Sequence, residues 1–157
     1  SDAQVEKTID LVETFNWLIG LHVAHLDQPR HYAIELVHET DPELPKDQST
    51  RWRSTAIKER NDGEFWFRAV EGHIFSVPGD DLSRERVLVI WRKLTGDSGR
   101  DQAALEAWLN KRGINPRESE YAFIYVNGNH ALPSDGDAAT RVRLIEETFA
   151  QRMWEDA

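Results

Sequence analysis

Arg86-Val-Leu-Val-Ile-Trp-Arg-Lys-Leu94 contains Val87 to Trp91, the one run of five apolar residues bounded by charge on both sides. Its length and β-branched content fit a strand buried on both faces, which predicts a place at the centre of a sheet. Gly96 ends the strand, Asp97-Ser-Gly-Arg100 is turn chemistry, and a helix pattern begins at Asp101. Together they predict strand, loop and covering helix. No reactive group sits on that unit.

Upstream, Val5, Ile9, Val12, Phe15 and Ile19 recur at helical spacing, widened by Leu11 and Leu18, with Glu6, Asp10 and Glu13 on the polar side as solvated charge. Gly20 is placed to cap that helix. His22 to Leu26 and His31 to His38 flank Asp27-Gln-Pro-Arg30, which predicts two antiparallel strands joined by a turn. Tyr32, Ile34 and Leu36 alternate with Ala33, Glu35 and Val37, so one face of the second strand should be buried. Asp41-Pro-Glu-Leu-Pro-Lys-Asp-Gln-Ser-Thr50, with two prolines and four charges, reads as a surface loop. Trp52 to Glu59 and Glu64 to Val70 flank Asn61-Asp-Gly63 and predict a second hairpin, basic and aromatic through Trp52, Arg53, Trp66 and Arg68.

Downstream of the central strand, Ala104, Leu105, Trp108 and Leu109 mark a helix with Asp101 as N-cap and Gly113 as C-cap. Tyr121-Ala-Phe-Ile-Tyr-Val126 is a further buried strand, broken at Asn127-Gly128. Val142, Ile145, Phe149 and Met153 describe a last helix. The expected fold is α/β, or α+β in a stricter scheme: a mixed, largely antiparallel sheet with about three packed helices in the order α-β-β-β-β-β-α-β-α. That order is compatible with a degenerate restriction-endonuclease-like core.

At 157 residues the chain is one domain by size, and such a domain buries roughly 68–70% of the surface its unfolded chain exposes. The absence of Cys excludes disulfides and thiolate metal sites. No apolar run approaches the ~20 residues of a membrane span, so a cytoplasmic protein is expected. A net charge of −9, from 28 acidic against 19 basic residues, disfavours a whole-surface duplex-DNA binder. His22 and His25, three apart on a strand, fall on opposite faces and should not share a metal. There is no HExxH, no GxSxG and no phosphate-binding glycine motif. The Glu-x-Lys of restriction-endonuclease-like nucleases, which holds a divalent ion and positions water, is also absent. A nuclease reading would need carboxylates arranged out of pattern, such as Glu35, Asp62 or Glu64. A third reading is a single-strand nucleic-acid contact through the basic hairpin.

Four segments together resemble the C-terminal part of bacterial and archaeal adenine-specific DNA methyltransferases of the type III restriction-modification class. They are Asp10-Leu-Val-Glu-Thr-Phe-Asn-Trp-Leu-Ile-Gly-Leu21, Val87-Leu-Val-Ile-Trp-Arg92, Tyr125-Val-Asn-Gly-Asn129, and Leu144-Ile-Glu-Glu-Thr-Phe149 with Arg152-Met-Trp-Glu155. The resemblance implies a parent chain that transfers a methyl group from S-adenosylmethionine to adenine, with residues 1–157 as its C-terminal domain; the start at Ser1 agrees with that expectation. Neither the Asp-Pro-Pro-Tyr-like loop nor the Phe-x-Gly-x-Gly turn of that chemistry occurs here, so no catalytic, cofactor or metal residue carries over. The implied role is assembly: contacts with its own methyltransferase domain and with a second modification subunit or a restriction helicase-nuclease subunit, and with DNA through the complex more than directly. The candidate interaction surface is Trp52, Arg53, Trp66 and Arg68 on the hairpin, and Asn127, Asn129 and His130 in the loop Asn127-Gly-Asn-His-Ala-Leu132. For Asn127 and Gly128 the alternative is a turn that needs positive φ.

Overall fold

The computed structural model describes residues 11–46, 50–132 and 141–155. A first helix, α1, covers residues 11–18. The strands β1 (His22–Leu26), β2 (Arg30–Thr40), β3 (Thr50–Glu59), β4 (Phe65–Phe75) and β5 (Arg84–Arg92) follow. The chain closes with α2 (Ser98–Lys111), β6 (Phe123–Val126), β7 (Val142–Leu144) and α3 (Ile145–Glu155). The mixed α/β fold and its element order are as expected, with β7 in addition. The beginning of the first helix, with Val5, Ile9, Glu6 and Asp10, lies outside the described residues, as do residues 47–49 of the predicted loop. Among the described residues no helix is long and apolar enough to cross a membrane.

The seven strands form one sheet in the order β3-β2-β4-β5-β6-β7, with β1 also paired to β4. β5 lies antiparallel to β4 and parallel to β6, and β6 is parallel to β7. Val87, Leu88, Val89 and Ile90 are all 0% exposed, so the central strand is dry on both faces. One side packs Leu88 and Ile90 against Ala104, Leu105, Trp108 and Leu109 of α2. The other packs Val87, Val89 and Trp91 against Val12, Phe15 and Ile19 from α1 and its end, and Ile145 of α3.

Both predicted hairpins pair differently from expectation. Leu26 sits opposite Val70 and Arg30 opposite Phe67, so β1 and β2 run in the same direction along β4 as two halves of one broken strand. Residues 27–29 oppose only Arg68 and Ala69, which makes the would-be turn a bulge. The true hairpin is β2 with β3, paired from Tyr32 opposite Glu59 to Thr40 opposite Thr50 with a one-residue register shift between Glu35 and Leu36. β3 and β4 do not pair, because β2 passes between them. Gly63 marks that passage: a Cβ there would meet the Tyr32 carbonyl carbon at 2.3 Å. Beyond Tyr32 the β2–β3 pair continues as a ribbon that lays Ile34, Leu36 and Ile57 on the α2 core.

Two helix boundaries also shift. α2 begins at Ser98, one turn before the expected start, because Asp97 and not Asp101 is the N-cap, accepting from Arg100 N at 3.1 Å. Val142 belongs to β7 and not to the last helix. The two helix ends expected at Gly20 and Gly113 are as read, each closed by a pair of backbone bonds: Gly20 N to Trp17 O and Leu21 N to Asn16 O, then Gly113 N to Asn110 O and Ile114 N to Leu109 O.

The bulge is held by Asp27, only 7% exposed. Its carboxylate accepts from Arg30 at 3.3 and 3.4 Å and from Arg112, at the end of α2, at 3.4 Å. Burial raises the Asp27 pKa, but the hydrogen bonds and charges of Arg30 and Arg112 outweigh it and hold the carboxyl below its ordinary value. A depressed folded-state pKa contributes stability that is complete above the unfolded value of about 4 and is lost as pH falls through the folded one. Asp27→Asn should therefore lower stability at neutral pH and flatten its decline under acid, as read from thermal unfolding between about pH 6 and 3. At Gly72 a Cβ would lie 2.3 Å from His22 O, where β1 crosses. Gly72→Ala should cost about 1–3 kcal/mol or more, because backbone must move, as measured by urea unfolding.

Candidate functional site

In sheets with parallel strands, ligands tend to sit beyond the carboxyl ends of those strands. Here β5, β6 and β7 end at Arg92, Val126 and Leu144, where α3 begins. Arg92 is only 5% exposed. Its guanidinium donates to four backbone carbonyls: Asn127 at 2.9 Å, Asn129 at 3.1 Å, and Gly128 and Asp101 at 3.3 Å each. The Asn127 amide continues the sheet beyond β6, accepting from Arg92 N and donating to Arg92 O, both at 2.8 Å. Glu146 of α3 accepts from Gly128 N at 2.9 Å, and Asp101 of α2 accepts from both Thr95 N and the Thr95 hydroxyl. Burial lowers the Arg92 pKa, while Asp101 and Glu146 act the other way.

The expected loop Asn127 to Leu132 is thus clamped by three elements, since Gln102 of α2 also accepts from Ala131 N at 2.7 Å. Gly128 takes φ 77°, the turn conformation anticipated there, while Asn127 does not. His130 is half-buried and its Nδ1 accepts from Leu132 N at 3.3 Å. Burial first, and Arg92 second, hold its pKa below the usual imidazole value against the pull of Glu146. Beside the loop lies an open cleft of about 530 Å³. Asn129 and His130 line it with Arg143, Glu147, Thr148 and Gln151.

The other four candidate residues are dispersed. Trp52 stacks on His38 at 4.6 Å and lies beside Gly99 of α2. Trp66 packs against the opposite core. Arg53 pairs with Glu39, and Arg68 donates to Asp27 O at 3.0 Å. The basic charge of this region is also largely matched: Arg51 reaches Glu39, Arg60 reaches Asp62 and Arg100 reaches Glu64. Asp62 and Glu64 are thereby engaged, and Glu35 stands exposed on β2. His22 and His25 go to different neighbours, His73 and Asp27, although a register shift between Val23 and His25 breaks the simple alternation. Among the described residues no three His, Asp or Glu side chains are grouped to hold a metal.

Arg92, Asp101 and Glu146 complete this polar knot; the sequence marks Asp101 only as a helix cap and singles out neither Arg92 nor Glu146 for the site. A charge at the edge of an apolar run reads as the strand's boundary, and only its solvent-free surroundings reveal another role. Chemically, the knot holds its donors and acceptors against each other; the cleft beside it is the part open to a ligand. Asn127→Ala should strand an N–H and a C=O of Arg92 and cost about 2–4 kcal/mol in urea unfolding. Asn129→Ala, at an exposed position, should stay within about 0.5 kcal/mol.

No known family model, no curated protein and no solved structure matches the chain.

Proposed function

We propose that this chain is a non-catalytic assembly domain of an adenine-specific DNA methyltransferase of the type III restriction-modification class, acting in the cytoplasm. The observation that carries the reading is a convergence. The four segments that resemble that class are far apart in sequence, yet they meet in one place. Phe15 of the first lies 6.0 Å from Trp91 of the second, 5.3 Å from Tyr125 of the third and 5.1 Å from Phe149 of the fourth. The last three segments also share the polar knot, through Arg92, Asn127, Gly128 and Glu146.

The helices that carry two of these segments expose large apolar side chains. Trp17 is 77% exposed on α1, and Met153 and Trp154 are 66% and 82% exposed on α3. Isolated surface tryptophans of that size are enriched where proteins meet. They are the contacts this reading assigns to the domain's own methyltransferase portion, a second modification subunit or the restriction helicase-nuclease subunit. S-adenosylmethionine belongs to the methyltransferase portion.

The test supplies this chain in trans to a type III modification subunit lacking its C-terminal domain, together with the restriction subunit. The expected result is a complex by size-exclusion chromatography with light scattering, and its loss with Trp17→Asp plus Trp154→Asp at unchanged circular dichroism. Failure of the unaltered chain to join either subunit would defeat the proposal. Titration calorimetry with Mg²⁺ should give no saturable heat; a one-ion site would favour the nuclease alternative.

A further inference from the structure

We propose that the α2 side of the sheet, in the part the helix leaves uncovered, binds single-stranded nucleic acid through His22, His73 and Phe75 with Arg84 and Arg86. His22 and His73 are cross-strand partners on β1 and β4, and their rings stack at 5.0 Å with 5° between planes. Phe75 meets each imidazole edge-on at 5.2 Å. One strand over, Arg86 is the partner of His73 and Arg84 the partner of Phe75, with the Arg84 guanidinium 5.8 Å from the phenyl centroid. Across three strands, the flat rings of β1 and β4 are followed by the two cations of β5.

Nothing in the two cores requires this arrangement. None of the five residues belongs to either buried cluster, and His22, Arg84 and Arg86 are exposed. Arg84 makes no ion pair among the described residues, whereas Arg86 pairs with Glu120 while lying 4.9 Å from the Tyr121 ring. The ring stack ends openly: among the described residues β1 pairs only with β4, so His22 presents its outer side at a sheet edge. Burial, and then the charges of Arg84 and His22, hold the His73 pKa below the ordinary imidazole value.

A nucleobase is the flat group that extends such a stack, and the phosphates flanking it match the two arginines. The ligand must be single-stranded, because paired bases hide their faces in a duplex, and the net charge of −9 repels the denser phosphate charge of a duplex more than that of one strand. An acidic peptide would engage the arginines and leave the open imidazole idle. Glu71, which accepts from the Tyr121 hydroxyl, and Glu120 keep the local field modest, so binding is weak and salt-sensitive. This surface is separate from Trp17 and Trp154, and the inference does not rest on the assembly reading.

Fluorescence anisotropy with a labelled oligodeoxythymidine of about ten nucleotides tests it. The expected result is saturable binding that weakens about sevenfold between 50 and 200 mM salt, as two phosphate contacts on a single strand require. Replacing stacking rings by alanine, in His22→Ala with Phe75→Ala, should weaken it about five- to a hundredfold. His22→Phe should retain most of the affinity, Arg84→Glu should lose it, and Arg53→Glu on the ribbon should leave it unchanged. As a readout that needs no variant, the oligonucleotide should shift the ring resonances of His22 and His73 in ¹H–¹³C spectra of the unaltered protein. No saturable binding, equal or tighter binding of the matching duplex, equal sensitivity to Arg53→Glu, or unmoved imidazole resonances would each overturn it.

Discussion

A strand with no wet face imposes the rest of this structure. β5 places four consecutive side chains at 0% exposure, two on each side of the sheet, so one covering layer cannot suffice. Hydrophobic burial scales with area removed from water, and half of the strand's apolar area would be wasted if either side stayed open. The chain meets the demand asymmetrically. One long helix, α2, follows β5 directly and covers one side. The opposite side is closed by α1 and α3, drawn from the two ends of the described chain and joined through Phe15 and Phe149.

The same strand has to stop, and it stops on an arginine that is only 5% exposed. A buried guanidinium with no carboxylate in hydrogen-bond contact is costly, and here carbonyl dipoles, helped by the nearby charges of Asp101 and Glu146, offset that cost. Their supply from residues 127–129 and from Asp101 forces the loop after β6 to turn back over the end of β5. That turn in turn delivers Gly128 N to Glu146 and fixes the start of α3. One unfavourable charge thereby orders three elements at the end of the sheet where parallel strands usually carry ligands.

What could be read in advance follows from how local the controlling interaction is. Val87 to Trp91 announced a central strand because continuous apolar sequence has only one use in a sheet of this size, and both helix-ending glycines act within one turn. Strand partners were not legible. Asp27-Gln-Pro and Asn61-Asp-Gly63 carry turn chemistry that suits a hairpin, a bulge or a passage under another strand equally well, and only the length of β2 decides among them. Asp101 drew attention as a cap because the apolar run starts after it, although Asp97 does that work and Asp101 turns inward to Thr95. At the candidate site, Asn127, Asn129 and His130 were legible as a loop at a strand's carboxyl end. Arg92 was not, nor was the pairing of His22 with His73, since those residues meet only through the register of β1 on β4.

The ribbon formed by β2 and β3 extends past its last shared position with β4 and closes through the segment after Thr40. Its far end is therefore an adjustable arm. Lengthening or trimming each strand by two residues would change its reach by roughly 7 Å and keep the same side chains turned toward α2. A change of one residue per strand would rotate Trp52 away from Gly99 and present the Arg53 side in its place. The length of the arm is thus separable from the sheet, provided any change comes in matched pairs.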